Sequence, residues 1–213
     1  WTGSDYQLQS YGTGVNLDPW TGFWVEATGA GASISFPRPG GESKMIAQET
    51  NPLTNPTEDN WRVQLSVNMG TMMDRYNYVG VGPSSADGLD PYDAKDLRTM
   101  LTSEYVLLYV PHPEWGASGF TEFAQDVRSA TPDTQTWQVI IETDQSSGTA
   151  RVSWPNAGMM PPAWSFTLKD DGTGAEYDLR TVDYCDITID SATHSLTLEA
   201  ERVGSAVDDW KLY

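Results

Sequence analysis

The chain has 213 residues, and twelve lysines and arginines against thirty aspartates and glutamates leave a formal net charge of −18. Such a surface repels the phosphates of nucleic acids and of anionic lipid, and no apolar run reaches the roughly eighteen residues needed to span a bilayer, so nucleic-acid partners and membrane insertion are excluded. Lysine is confined to Lys44, Lys95, Lys169 and Lys211 while Asp, Gly, Ser and Thr abound, a composition that suits a well-hydrated protein outside the cell or at its surface.

The chain opens at Trp1 without Met or a signal peptide, as expected of a mature form or a fragment. In GFWVEA, Phe23, Val25 and Ala27 form the apolar set, which leaves Trp24 beside Glu26 on the wetter face; Trp20 lies in turn-like sequence just before. ASISF reads as a short strand. WRVQLSVNM then sets Trp61, Val63, Leu65, Val67 and Met69 on one face, the clearest strand of the chain, and YNYVGV follows it. VGPSSADGLDPYDAKD places Asp87, Asp90, Asp93 and Asp96 at intervals of three. Asp90 before Pro91 has the form of a helix N-cap followed by proline at the first helical position. Asp93 would meet the free amides, with Ala94, Leu97 and Leu101 as the buried face. A second helical turn is expected in GFTEFAQDV, from Phe120, Phe123, Ala124 and Val127. The remaining segments, YVLLYV, TWQVIIET, ARVSW, WSFTLK, EYDLR, CDITI and HSLTLEA, read as strands separated by DQSSG, DDGTG and DSATH turns.

About ten short strands with almost no helix imply an all-β fold of stacked antiparallel sheets, a β-sandwich with one or two short helices. Composition shifts near residues 129–136, which divides the chain into a jelly-roll-like sandwich over 1–133 and an immunoglobulin-like sandwich over 134–213; the alternative is one continuous domain sharing sheets.

The segments LDPWTGFWVEA (17–27), NWRVQLSV (60–67), YVGVGPSSADGLDPYD (78–93), FAQDVRS (123–129), WQVIIET (137–143), ARVSWP (150–155) and FTLKDDGTGAEYDLRTVDY (166–184) resemble a β-rich module near the C-terminus of large secreted bacterial proteins. That module occurs beside sorting domains and flagellar-hook-type immunoglobulin-like domains. The resemblance implies an extracellular β-sandwich attached to a larger protein and brings no catalytic residues with it.

Nine tryptophans invite a division by phase. Trp61, Trp137, Trp154 and Trp164 keep step with apolar strand faces and belong to the core, whereas Trp20, Trp24 and Trp115 are candidates for an aromatic platform against sugar rings. Glu26, Tyr92 and Glu114 could supply the hydrogen bonds such a site needs. Glu114 is also the most enzyme-like acid, but thirty acidic residues make any pair of carboxylates uninformative. His112 and His194, the only histidines, fit no zinc spacing, and no GxSxG stretch supports a Ser-His-Asp triad. Cys185, alone and in phase with Ile187 and Ile189, reads as a small core hydrophobe. The one ion with a chemical case is a structural calcium, at Asp87 with Asp90 or at the Asp170 and Asp171 turn; no other cofactor is expected.

The reading these residues favour is a noncatalytic, secreted accessory module that binds a polysaccharide or another cell-surface component, or that acts as a spacer. The alternatives are a glycosidase-like, carbohydrate-active enzyme using Glu114 and a second acid, and a filament or surface-layer subunit that self-associates through edge strands.

Overall fold

In a computed structural model of the chain, residues 52–53, 55–96, 104–115 and 121–203 are described, all within one compact unit. They form eleven strands: β1 (Trp61–Met69), β2 (Met72–Gly82), β3 (Ala94–Lys95), β4 (Val106–Pro111), β5 (Glu122–Ser129), β6 (Thr134–Thr143), β7 (Gly148–Ser153), β8 (Trp164–Asp170), β9 (Glu176–Asp178), β10 (Tyr184–Ile189) and β11 (Thr193–Arg202). Two single 3₁₀ turns, Pro113–Trp115 and Ala157–Met159, are the only helical elements among the described residues. None of these is long and apolar enough to cross a membrane.

The strands join in one large mixed sheet, curled nearly into a barrel, in the order β10-β7-β1-β2-β5-β4-β6-β11-β8-β9, with β3 added beside β5. All pairs are antiparallel except β2 with β5. β4 makes the corner: its Val110 and Pro111 pair with β5, while Val106 to Tyr109 pair with β6. Strands from both sides of residue 133 are therefore hydrogen-bonded to each other within this sheet, β4 to β6 and β1 to β7.

Alternation drives the core as the sequence implies. Trp61, Val63, Leu65 and Val67 of β1 are each no more than 1 % exposed, and the side chains between them face outward. Trp61 meets Trp137, Trp164 and Phe166 edge-on at ring separations of 6.0, 5.2 and 4.9 Å, tying β1 to β6 and β8 through the interior. Each edge-to-face pair adds roughly 0.5–1.5 kcal/mol beyond the area it buries. Trp137, Trp154, Trp164 and Cys185 are also buried, and burial, with the charges of Asp170 and Asp186, pushes the Cys185 thiol up to about 12, which makes it inert. Where β7 leaves β1, the Asn156 side chain takes over: its Oδ1 accepts from Gln64 N at 2.8 Å and its Nδ2 donates to Arg62 O at 2.8 Å, standing in for one peptide of a neighbouring strand.

Both expected helices are corrected. GFTEFAQDV holds β5, because Phe123, Asp126 and Val127 are buried by an irregular strand, whose spacing of three and four mimics a helical face. Ala94 belongs to the short strand β3, and Leu97 and Leu101 lie outside the described residues. The capping chemistry nonetheless forms: Asp90 N donates to Asp93 Oδ2 at 2.8 Å, and Tyr92 N donates to Asp90 Oδ1 at 2.7 Å. The two aspartates close a turn, and the described residues after it, up to Asp96, form no helix.

Gly80 lies across from Arg62, where a Cβ would collide with the backbone carbonyl of Trp61, while a Cβ on Gly88 would meet open space. Gly80→Ala should therefore lower stability by roughly 1–3 kcal/mol or more, as overpacking against backbone does. Gly88→Ala should leave the urea midpoint nearly unchanged; equal midpoints for the two variants would contradict this packing.

Candidate functional site

The polar centre of the molecule is built on β5. Relative to β3, β5 carries an extra residue: Ala94 faces Gln125 but Lys95 faces Phe123. Such a bulge re-aims side chains, and here Phe123 and Asp126, three apart, both reach the ring of His112. Asp126 is completely buried and His112 is 5 % exposed. Nε2 of His112 lies 2.9 Å from Asp126 Oδ2, and Nδ1 lies 2.6 Å from Glu114 Oε1, with Glu114 itself exposed. Arg128 closes the other side of Asp126, donating to Oδ2 from Nε at 3.0 Å and from Nη2 at 2.9 Å; its Nη1 donates to Thr136 O at 2.6 Å.

Ionised carboxylates only accept, so the imidazolium form of His112, which donates from both nitrogens, is the one that satisfies a carboxylate at each. Burial alone disfavours that charge, but the hydrogen bonds to Asp126 and Glu114 outweigh it and hold the His112 pKa above its ordinary value. The hydrogen bond from His112 in turn holds Glu114 below the usual carboxylate range. Trp115 lies flat on the His112 ring, 3.4 Å away with planes 3° apart, and Phe123 meets both rings edge-on. An aromatic face over a desolvated cation is favourable by roughly 1–2 kcal/mol. The Pro113–Trp115 turn fixes this geometry, since Trp115 N donates to His112 O at 3.1 Å and His112 N donates to Thr121 O at 2.7 Å.

Neither nitrogen of His112 is left to take a proton from a substrate, and a carboxyl held low, as Glu114 is, has no proton to give near neutrality. The second histidine is likewise engaged: His194 Nε2 lies 2.7 Å from Asp170 Oδ1. Burial would raise Asp170, but hydrogen bonds from Thr173, His194 and Gly172 prevail and lower it.

Next to β5 opens a cleft of about 280 Å³ lined by Pro52, Leu53, Asn60, Arg62, Gly82, Pro83, Tyr92 and Gln125. Gln125 is anchored there by donating from Nε2 to Tyr92 O. Tyr92 thus stands at the cleft, and Glu114 and Trp115 belong to the His112 cluster. Trp20, Trp24 and Glu26 lie outside the described residues.

Asp87 Oδ1 accepts from Ser129 N at 3.1 Å and from Gln135 Nε2 at 3.2 Å, and Asp90 Oδ2 accepts from Ala86 N at 2.6 Å. Asp171 accepts from the Ser195 and Thr197 hydroxyls at 2.7 and 2.9 Å. Each proposed calcium ligand is thus a loop or strand acceptor. Among the described residues no group of three or more His, Cys, Asp or Glu is placed to hold a metal ion.

Sequence reasoning did not find Asp126, Arg128 or the cleft residues Asn60, Arg62, Pro83 and Gln125. Its one usable signal was Glu114 beside Trp115 in the HPEW stretch; Asp126 was not among Phe120, Phe123, Ala124 and Val127, the residues expected to form a helical face. Comparison with known proteins found no matching family model, no similar curated protein and no similar solved structure.

Removing one partner from a buried ion pair leaves the other uncompensated. Asp126→Asn should cost roughly 3–5 kcal/mol in urea unfolding, whereas Glu114→Gln, at an exposed pair, should cost about 1 kcal/mol or less. Similar losses for the two would show that Asp126 is not the anchor.

Proposed function

We propose that this chain is a noncatalytic accessory module of the extracellular or cell-surface class, a flattened sandwich-like β-barrel that binds a saccharide of a polysaccharide or cell-surface component at the cleft beside Tyr92. The observation that carries this reading is the cleft's lining: a tyrosine and two prolines give apolar walls, and Asn60, Arg62 and Gln125 bring amide and guanidinium groups suited to ring hydroxyls. Its volume, about 280 Å³, falls just below the roughly 300–1,000 Å³ of ligand sites, in keeping with a single sugar ring of a longer chain rather than a large cofactor. Against the enzyme alternative, Glu114 and both histidines are committed to structural pairs.

Affinity electrophoresis across a panel of soluble polysaccharides tests the proposal. At least one polymer should retard the protein, and Tyr92→Ala with Gln125→Ala should weaken that binding at least tenfold while Glu114→Gln leaves it unchanged. No retardation on a broad panel would sink the reading, and release of reducing sugar abolished by Glu114→Gln would replace it with the enzyme.

A second reading, pairing between copies, has one observation in its favour: β10 ends the strand order and pairs only with β7 among the described residues. Repulsion between copies that each carry −18 acts against it. Such pairing should appear in sedimentation runs only as salt screens the charge; a monomer at every salt and protein concentration would remove it.

A further inference from the structure

The lining of the Tyr92 cleft is one-sided in charge. Among its described residues Arg62 is a cation and none is a carboxylate, although the chain carries thirty acidic residues. We propose that the sugar this cleft takes is an acidic one, a ring bearing a single carboxylate or sulfate that pairs with the Arg62 guanidinium while Asn60 and Gln125 meet its hydroxyls. This rests on the saccharide reading of the cleft and names the class of sugar within it.

The sheet turns Arg62 outward and gives it room. On β1 it stands between Trp61 and Val63, both fully buried, so alternation puts its side chain on the outer face. Its partner across the ladder is Gly80, and a Cβ there would lie 2.9 Å from Arg62 Cγ. The missing side chain on β2 is thus the space in which the stem of Arg62 lies. Its backbone carbonyl is held by Asn156 Nδ2 at 2.8 Å, and its Nη1 lies 3.4 Å from Asn60 Oδ1, a long contact to a neutral amide. Asn60 is fixed in turn by paired backbone bonds with Thr57 at 2.9 and 3.1 Å, and Gln125 is oriented by its donation to Tyr92 O.

Acids that neighbour the lining in sequence are turned to other partners. Before Asn60, Glu58 and Asp59 pair with Arg202. Around Tyr92, Asp90 accepts from Ala86 N and Tyr92 N, and Asp93 accepts from Asp90 N and Val127 N. After Gln125, Asp126 is enclosed by His112 and Arg128. A guanidinium among amides and apolar walls suits an anion that its planar fork can grip with two parallel hydrogen bonds, as it can a carboxylate or a sulfate. The surface charge of −18 acts over a longer range and is screened beyond roughly 8 Å at physiological salt, so it disfavours densely charged polyanions more than a single acidic ring among neutral ones.

Affinity electrophoresis of the full chain through gels holding glucuronoxylan, xanthan or carrageenan, each beside its carboxyl-reduced or desulfated form, tests this. A protein carrying −18 has no general attraction to polyanions, so retardation by one of them reports a site. At least one acidic polymer should retard the protein, and the same polymer stripped of its charge should bind about tenfold more weakly or worse. Arg62→Gln should lose about as much, with Arg62→Lys between the two. Should the Arg62 variants fail to fold, the charged and stripped polymers compared on the wild-type protein decide. Neutral polymers bound as tightly as acidic ones, with binding lost in Tyr92→Ala and Gln125→Ala but kept in Arg62→Gln, would overturn the acidic class and leave the saccharide cleft standing. Retardation by no polymer, acidic or neutral, would remove the cleft reading and this inference with it.

Discussion

A carboxylate with no solvent exposure has to be neutralised by its neighbours, and Asp126 sets this demand on a strand in the middle of the sheet. Two cations meet it, Arg128 from the same strand and His112 from the corner after β4. Much of the surrounding structure follows. His112 must present a nitrogen to Asp126, so the 112–115 turn folds over β5; Trp115 and Phe123 then shield the ring, and Glu114 takes its outer nitrogen. Arg128, drawn to the same carboxylate, reaches Thr136 O and lies over Trp137, which links the polar cluster to the aromatic interior.

Elsewhere the same device recurs with neutral partners, side chains supplying what a curled sheet cannot. Asn156 completes β1 where β7 stops, and Arg180 gathers the carbonyls of Pro161 and Trp164 at 2.7 and 2.9 Å. Arg202 covers Trp164 and pairs with Asp59 at 2.9 Å, pinning the segment before β1 to the end of β11. Strands that bend around a shared core lose ladder partners at corners, and buried amide and guanidinium groups restore them. Among the described residues, Arg128, Arg180 and Arg202 serve at these positions.

What could be read beforehand follows from period two. Nine strands, from Trp61–Met69 to Thr193–Arg202, coincide closely with alternating segments, and the four core tryptophans and Cys185 lie where phase put them. β5 was misread because an extra residue in a strand shifts its buried positions to a spacing of three and four, the period of a helix. The Asp90 and Asp93 cap was legible, its helix was not, since capping is local and continuation depends on what the next turn can bury. The His112 cluster and the Tyr92 cleft join residues from separate strands, and a contact between positions 112 and 126 has no signature in either neighbourhood. The candidate site was thus visible residue by residue, at Glu114, Trp115 and Tyr92, but its division into a structural cluster and a cleft required the fold.

That division underlies the proposed function, in which the His112 cluster holds the strand and the Tyr92 cleft is the proposed binding site. A double-mutant cycle of His112→Gln and Asp126→Asn, followed by urea unfolding at pH 6, tests the division most directly. Residues bound in one buried pair should show a coupling of about 1.5–3 kcal/mol, the double variant losing far less than the sum of the single losses. Additive losses within roughly 0.5 kcal/mol would mean that His112 and Asp126 act independently, and would contradict the account of Asp126 as the centre on which this end of the molecule is built.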